Sequence, residues 1–347
     1  MRRIWALALT LLLAGCTPDT PEEPEVVEEV EEAVSTVTIR SVGDILVHSD
    51  VYTTARTDTG FDFTRMFDPV RQYMADADIT TANMEVPVAG EAFGLSGYPQ
   101  FNSPPEIIDA LKNSGVDIVN NATNHSMDRG GEGVIASTGH MRDRGMLYAG
   151  SFSSAADATT PRIIEANGIT VGFLGSTYGT NGLPVEEEHF ASLIDDNLTD
   201  RITTLDSEVD VTVVMLHMGD EYAPLQNEFQ EETAAAALEA GADLVLGGHP
   251  HVVEPFDGPV WYSHGNFLHG QLEEPTKIGG IGEFTFTKRG DEVSLAGTRF
   301  MPTYTVGPPI SYDHHVLPLV EAGDYVDVQK WMTDLRERLN VEVVDYL

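Results

Sequence analysis

The chain has 347 residues, 41% of them hydrophobic, 22% charged and one a cysteine. That supplies apolar material for a large buried core and excludes a wholly disordered chain, while a lone cysteine excludes a disulfide scaffold. Nineteen basic residues against 56 acidic ones give a formal charge of −37, so the basic footprint of a nucleic-acid binder is missing and no nucleic-acid partner is expected. Only Lys112, Lys277, Lys288 and Lys330 are lysines. So acidic a surface repels itself, and molar salt screens that repulsion within roughly 3 Å. The composition therefore suits a saline setting, a generally acidic secreted protein being the other reading.

The N-terminus reads as a targeting segment. Arg2 and Arg3 precede the apolar run Ile4 to Leu13, which is too short to span a bilayer as a mature helix. It ends in Leu13-Ala14-Gly15-Cys16, which resembles the lipobox of bacterial lipoproteins. The resemblance implies a signal over residues 1–16 and a lipidated Cys16 that anchors the protein to a membrane, outside the cytoplasm. Acyl chains hold by about 0.8 kcal/mol per buried methylene. An ordinary secretory signal with an incidental cysteine is the alternative. Residues 17–36 carry Pro18, Pro21, Pro24 and a run of glutamates, the composition of an extended, solvated tether. A single globular domain is expected over 37–347.

Within that domain Val37–Val42 reads as a strand ending in Gly43-Asp44, Phe63–Ala75 as a helix and Ile79–Val86 as a second strand. Ser103-Pro104-Pro105-Glu106 reads as a helix start, with Ser103 as cap and Glu106 closing a capping box. Gly115 ends that helix. A strand over Val116–Asn120 and a helix over Gly131–Arg144 follow. Asn167-Gly168 predicts a hairpin turn between Ile163–Ala166 and Thr170–Leu174. Strands are expected at Val209–Leu216, Ala242–Leu246 and Val260–Ser263, and helices at Glu228–Ala240 and Val326–Leu339. Gly282–Met301 alternates as antiparallel strands do. Interleaved strands and helices followed by an antiparallel end give an α/β or mixed sheet protein.

Polar residues collect where the apolar strands stop: Gly43-Asp44, Asn83-Met84-Glu85, Asn120 to His125, Leu216 to Gly219, Gly247 to His251, and His264-Gly265-Asn266. Ligands of open α/β sheets sit beyond the carboxyl ends of strands. Two carboxylates, amides and several imidazoles with no thiolate suit manganese, iron(II) or zinc. His249-Pro250-His251 is the sharpest unit: a two-residue spacing in extended backbone puts both imidazoles on one side. No nucleophile elbow and no phosphate-binding loop is present.

This series of motifs resembles the CapA family of capsule-synthesis proteins, associated with poly-γ-glutamate, whose motif order is similar to that of the calcineurin-like metallophosphoesterases. The carrying motifs are Gly43-Asp44, Asn83-Met84-Glu85, Asn124 to Asp128, His217 to Tyr222, Gly248 to His251 and Gly265-Asn266-Phe267. The resemblance covers residues 37 to about 270. It implies a four-layer αββα sandwich with a site for one or two divalent metal ions at the strand ends. Asp44, Glu85, Asn124, His217, His249 and His251 stand at the metal-ligand positions. His125 stands as the general acid, and Asp128 as the group that orients it. Arg129, Glu221, Tyr222 and Asn266 are candidate substrate contacts.

The implied partners are an anionic polymer such as poly-γ-glutamate or an envelope phosphoester, and a capsule-synthesis membrane complex. Departures bear on the site. Metallophosphoesterases begin Asp-x-His, but position 46 is Leu, so a first-motif ligand is missing unless His48 or another group replaces it. His264 stands where the family has an apolar residue, as a site residue or a local substitution. His140 is expected at the surface of a helix, and His189, His314 and His315 in solvated loops. His269 lies close enough in sequence to Asn266 to reach the site. A catalytic envelope hydrolase or transferase, a non-catalytic polymer-binding or export accessory, and a metal-dependent surface module recruited to some other glycan all fit these residues.

Overall fold

A computed structural model describes residues 34–347. The signal segment, Cys16 and most of the expected tether lie outside the described residues. The first strand, Val34–Leu46, begins three residues inside the expected tether, because Val34, Ser35 and Thr36 pair with Arg289, Lys288 and Thr287.

Two sheets lie face to face. The first runs in the order His315–Pro318, Glu292–Val306, Ile278–Arg289, Val34–Leu46, Ile79–Asn83, Ile118–Asn120, Leu147–Ala149. Its last four strands are mutually parallel, and the long Ile278–Arg289 and Glu292–Val306 pair is antiparallel. A short strand, Asn266–His269, adds in parallel to the end of the first strand, setting Asn266 beside Asp44. The second sheet runs Phe256–Asp257, Val260–Trp261, Leu244–Gly248, Val211–His217, Ile169–Thr177, Arg162–Ala166.

Side-chain alternation explains the layers. Val213 and Met215 face the other sheet, where they join Ile39, Ile79, Ile118, Leu246, Phe284 and Phe300 in the central core. Val214 and Leu216 face outward, under helices Leu198–Asp206 and Glu228–Glu239. Helices Glu106–Asn113 and Gly130–Asp143 cover the outer face of the first sheet through Leu111 and Met141. This is the expected four-layer αββα arrangement. Strands buried on both faces are the continuous apolar runs that the sequence shows.

Two local expectations change. The helix over 63–75 divides into Thr64–Phe67 and Arg71–Ala75, because Pro69 has no amide hydrogen to donate and its ring obstructs the preceding turn. The capping box at Ser103 does not form: the helix starts at Glu106 after Pro105, and the Ser103 hydroxyl has no partner. The Asn167-Gly168 turn forms with φ of 54° and 78°, the positive pair that a type I′ hairpin turn demands.

Candidate metal centre

The carboxyl ends of both sheets' parallel strands converge. Gly43 makes this possible in the first strand: a Cβ there would lie 1.9 Å from the Gly265 carbonyl oxygen. With no Cβ, the Asp44 amide donates to that carbonyl at 3.0 Å, and the Asp44 side chain is driven into the space between the sheets.

Asp44 is fully buried. Its Oδ1 accepts from Asn83 Nδ2 at 2.8 Å, and its Oδ2 lies 3.0 Å from His251 Nδ1. Glu85 sits beyond the end of its strand, 1% exposed, and neither carboxylate oxygen has a hydrogen-bond partner. Its Oε1 lies 3.6 Å from His251 Nε2 and 3.9 Å from His217 Nε2. Burial, and next the nearby Asp44 charge, hold the Glu85 carboxyl well above the usual carboxylate range.

His217 ends its strand with no exposure. Its Nε2 lies 2.9 Å from Asn124 Oδ1 and its Nδ1 3.3 Å from Asn83 Nδ2. Asn124 donates its Nδ2 to Asn181 at 3.2 Å, which turns Oδ1 toward His217. Burial first, then the His249 and His251 rings, keep His217 well below the ordinary imidazole value. Burial likewise pushes His249 down to about 4, and its Nδ1 is buried without a partner. His217 and His249 therefore each offer a lone pair near neutral pH.

His249 and His251 are not on a strand. The strand stops at Gly248, and the two histidines take φ of 98° and 61°. The extended-backbone argument for their common facing is therefore corrected: a left-handed bend around Pro250 aims both rings at one carboxylate. Such φ values cost on the order of 1–3 kcal/mol each for residues with a Cβ.

Two triads result, Glu85 with His217 and His249, and Asp44 with Glu85 and His251. In each, one ligand atom from every residue lies within 4.8 Å of the others. They share Glu85. A buried carboxylate with both oxygens unpartnered, ringed by three imidazoles, is the donor set that a divalent cation completes. The residues present fit such an ion.

His125 stands at the edge of this cluster. Its Nδ1 lies 2.8 Å from Asp128 Oδ2, which also accepts from the Phe101 amide at 2.6 Å. The Phe101 ring meets the imidazole edge-on at 4.7 Å. Asp128 therefore fixes the tautomer and leaves Nε2 for a cleft of about 470 Å³, which His125, His251 and Asn124 line together with Glu221 and Tyr222.

Asn266 and Arg129 do not line that cleft. Asn266 is fully buried, its Oδ1 3.2 Å from His251 Nδ1 and its Nδ2 donating to Gln271 and the Thr276 carbonyl. Arg129 binds the Asp128 carbonyl, the Gln100 carbonyl and Ser96 Oγ, holding the cleft wall from behind. Leu46 lines the cleft, and among the described residues neither triad contains a further imidazole in its place. His48 also lines it, but its Nδ1 lies 2.9 Å from the Leu46 carbonyl.

His264 packs on Trp261, with Nε2 2.7 Å from Ser41 Oγ and Nδ1 against the Gly247 carbonyl, beneath the cluster. His269 is buried, accepts from the Gln271 amide at 3.0 Å and belongs to neither triad. His314 is buried rather than solvated, its Nδ1 3.0 Å from Thr54 Oγ1. Asn83 and Asn120 stood in the strand-end clusters of the sequence without a role of their own. Asn120 Nδ2 donates to Asn83 Oδ1 at 2.8 Å, completing an amide relay to Asp44. Their signal was asparagine at the end of two adjacent parallel strands.

The family described as bacterial capsule synthesis protein PGA_cap matches residues 38–271, a span that contains every residue of both triads. The chain belongs to this family. It is 27% identical over 274 residues to the capsule biosynthesis protein CapA of Bacillus anthracis, covering 74% of this chain and 66% of that one. It is 29% identical over 247 residues to the PGA biosynthesis protein CapA of Bacillus subtilis (strain 168), covering 65% and 62%. The matches span under two thirds of either relative's own length. The fold is similar to that of the calcineurin-like phosphoesterase YfkN from Bacillus subtilis, with a TM-score of 0.52 and 16% identity over 88% of this chain and 98% of that one.

Proposed function

We propose that this PGA_cap family member is an envelope protein of capsule synthesis whose strand-end cluster is a metal-dependent hydrolase or transferase site. The observation that carries this is Glu85: a carboxylate buried without a hydrogen bond and shared by two imidazole-bearing triads. Glu85, Asn124, His217 and His249 would hold one ion, and Asp44, Glu85 and His251 a second, of manganese, iron(II) or zinc type. A divalent ion there supplies Lewis-acid polarisation of an acyl or phosphoryl oxygen.

The chain's own groups supply the rest. With both ring nitrogens protonated, His125 delivers the Nε2 proton to the departing group, an amine from a γ-glutamyl amide or an alkoxide from a phosphoester, and is left with its Nδ1 proton on Asp128. Asp128 holds the imidazole ring by Nδ1. Phe101 closes one side of that pair and excludes water. Lipidation at Cys16 would set the domain, on its acidic tether, outside the cytoplasm at a membrane. Among the described residues no helix is long and apolar enough to cross a membrane.

A second reading, a non-catalytic accessory that holds the capsule polymer, is favoured by one observation: Leu46 at the position of the missing first-motif ligand. A turnover assay separates the two. Metal-loaded protein is offered γ-glutamyl peptides and phosphodiesters, with His125→Ala alongside. Turnover that His125→Ala abolishes without loss of metal supports the enzyme. No turnover of either class by protein that contains metal leaves the accessory.

A further inference from the structure

The cleft beside the triads brings charge of two signs together. On its inner side lies the strand-end cluster, where one divalent ion would balance the carboxylates of Asp44 and Glu85 and a second would leave an excess of positive charge. The exposed side has the opposite sign. Glu221 lines the cleft, is exposed, and makes no ion pair and no side-chain hydrogen bond among the described residues. Burial first, and then the Glu221 charge, raise the Tyr178 and Tyr222 hydroxyls above their ordinary value. Asp128, the other carboxylate on the lining, is already engaged by the Phe101 amide and by His125. The lining holds no lysine and no arginine, and the Arg129 guanidinium is held by Ser96 and two backbone carbonyls.

Aromatic faces share this lining with the free carboxylate. Tyr98 is 79% exposed and Tyr222, the neighbour of Glu221 in the chain, is 54% exposed. Tyr222 is held in place: its φ is 67°, its amide donates to the Pro250 carbonyl at 2.8 Å, and its hydroxyl accepts from Gln271 Nε2 at 3.4 Å. Its ring lies 5.9 Å from that of His251, so the aromatic wall abuts the Asp44 triad. Exposed aromatic rings beside a carboxylate without a counter-ion are the chemistry that receives an ammonium group. The ring faces attract the cation, and the carboxylate accepts its hydrogen bonds.

A γ-linked glutamate chain carries an ammonium group in one place, its amino end, where it sits on the same carbon as a carboxylate. Every later residue offers a carboxylate and no amine. We propose that this cleft recognises the amino-terminal residue of a γ-glutamyl chain, with its ammonium on Glu221, against the Tyr98 and Tyr222 rings, and its carboxylate toward the strand-end cluster. Glu221 then sets which end of the polymer enters. This rests on the reading of that cluster as a metal-dependent site for γ-glutamyl amides. It also accounts for a polyanion meeting a protein of net charge −37: the attraction comes from bound cations on one side and from the chain's own ammonium on the other.

The test is calorimetric binding to the metal-loaded protein at one fixed salt concentration, with metal counted on the same samples. The probes are a γ-linked glutamate tetramer with a free amino end and the same tetramer N-acetylated. Wild type and His125→Ala are titrated side by side, the second so that turnover does not consume the probe. The free tetramer should bind roughly tenfold more tightly, the lower end for a hydrogen bond between charged groups. Acetylation also makes the probe more negative, which so acidic a protein disfavours in every variant. The ratio of the two affinities in Glu221→Gln is therefore decisive, and it should fall to about twofold or less, the part left to screened long-range charge. Tyr98→Ala should lower the same ratio by roughly twofold to fivefold, as for a cation over an exposed aromatic ring.

An acetylated tetramer that binds as tightly as the free one overturns the proposal. So does a preference for the free tetramer that Glu221→Gln leaves unchanged, or binding of neither tetramer to protein that contains metal. Each of these leaves the metal-dependent reading in place. A free-amine preference that Glu221→Gln removes, on protein that takes up no metal, supports recognition of the chain end and sinks the metal-dependent reading alone.

Discussion

Asn83 Nδ2 donates to Asp44 Oδ1 at 2.8 Å and His251 Nδ1 lies 3.0 Å from Oδ2, so both Asp44 oxygens already have partners within the protein. The Asp44 triad has three donors, whereas the Glu85–His217–His249 triad has Asn124 Oδ1 beside it as a fourth. Two ions would therefore be held unequally. We expect one equivalent to survive dialysis and a second to exchange. Asn83→Asp replaces the amide with a carboxylate beside Asp44. It should make the second equivalent survive dialysis, while lowering the stability of metal-free protein through like-charge repulsion. Unchanged metal retention together with unchanged metal-free stability would contradict this assignment.

The proton path gives a second expectation. His125→Ala should cut turnover by roughly 10²–10⁴-fold, the usual worth of a positioned general acid, and leave metal content at the wild-type level. Asp128→Asn should cut it less and displace the pH profile, because the imidazole keeps its place but loses its fixed tautomer. Metal loss in His125→Ala would show instead that this ring is a ligand.

Glu254, three residues after His251, supplies a pH dependence apart from the triads. It is fully buried, its Oε2 accepts from Gln230 Nε2 at 2.7 Å, and its Oε1 has no partner. Burial pushes its carboxyl up to about 8 from the ordinary 4.5. A raised carboxyl favours the fold while protonated. That contribution is whole below 4.5 and is lost as pH rises through about 8. Between 4.5 and about 8, at 1.36 kcal/mol per pH unit, the loss is on the order of 5 kcal/mol. Glu254→Gln should remove that loss in urea unfolding measured at about pH 5 and about pH 8. His264, which burial pushes down to about 4, acts on the other side: its contribution is present above 6.5 and fades as pH falls. Equal alkaline losses in wild type and Glu254→Gln would contradict the assignment.

Arg40 and Arg299 both bind Glu283, with Arg40 Nη2 at 2.7 Å from Oε2, and Arg40 and Glu283 are only 7% and 6% exposed. This pair ties the first strand to its antiparallel neighbour. Glu283→Ala leaves a guanidinium buried without its carboxylate, and should cost about 3–5 kcal/mol in denaturant unfolding. A cost under about 1 kcal/mol would mean that water reaches Arg40.

Much of this was legible in the sequence, and the exceptions have physical causes. The run from Val209 to Leu216 announced a buried strand, which forms over Val211–His217, and Asn167-Gly168 announced its turn, because those signals are local. The gathering of Asp44, Glu85, His217, His249 and His251 followed from their places at strand ends. The conformation of His249-Pro250-His251 was not legible: positive φ at two histidines is imposed by where Asp44 and Glu85 lie, on distant strands. Asn83 looked like part of a motif, and its bond to Asp44 appears only when two strands pair. Leu46 was readable as a departure, yet nothing local shows that, among the described residues, the two triads form without a further imidazole in its place. His314 looked like a loop residue, and its burial depends on Thr54 and Asp50 from a helix some 260 positions earlier.

The account turns on whether Glu85 and its imidazoles hold a metal. The direct measurement is elemental mass spectrometry on protein purified without chelator in high salt, beside a His249→Ala, His251→Ala double variant. One or two equivalents of manganese, iron or zinc in the wild type, lost in the variant, is the predicted result. No metal in the wild type even after manganese or zinc is added, or equal metal in both proteins, would contradict it.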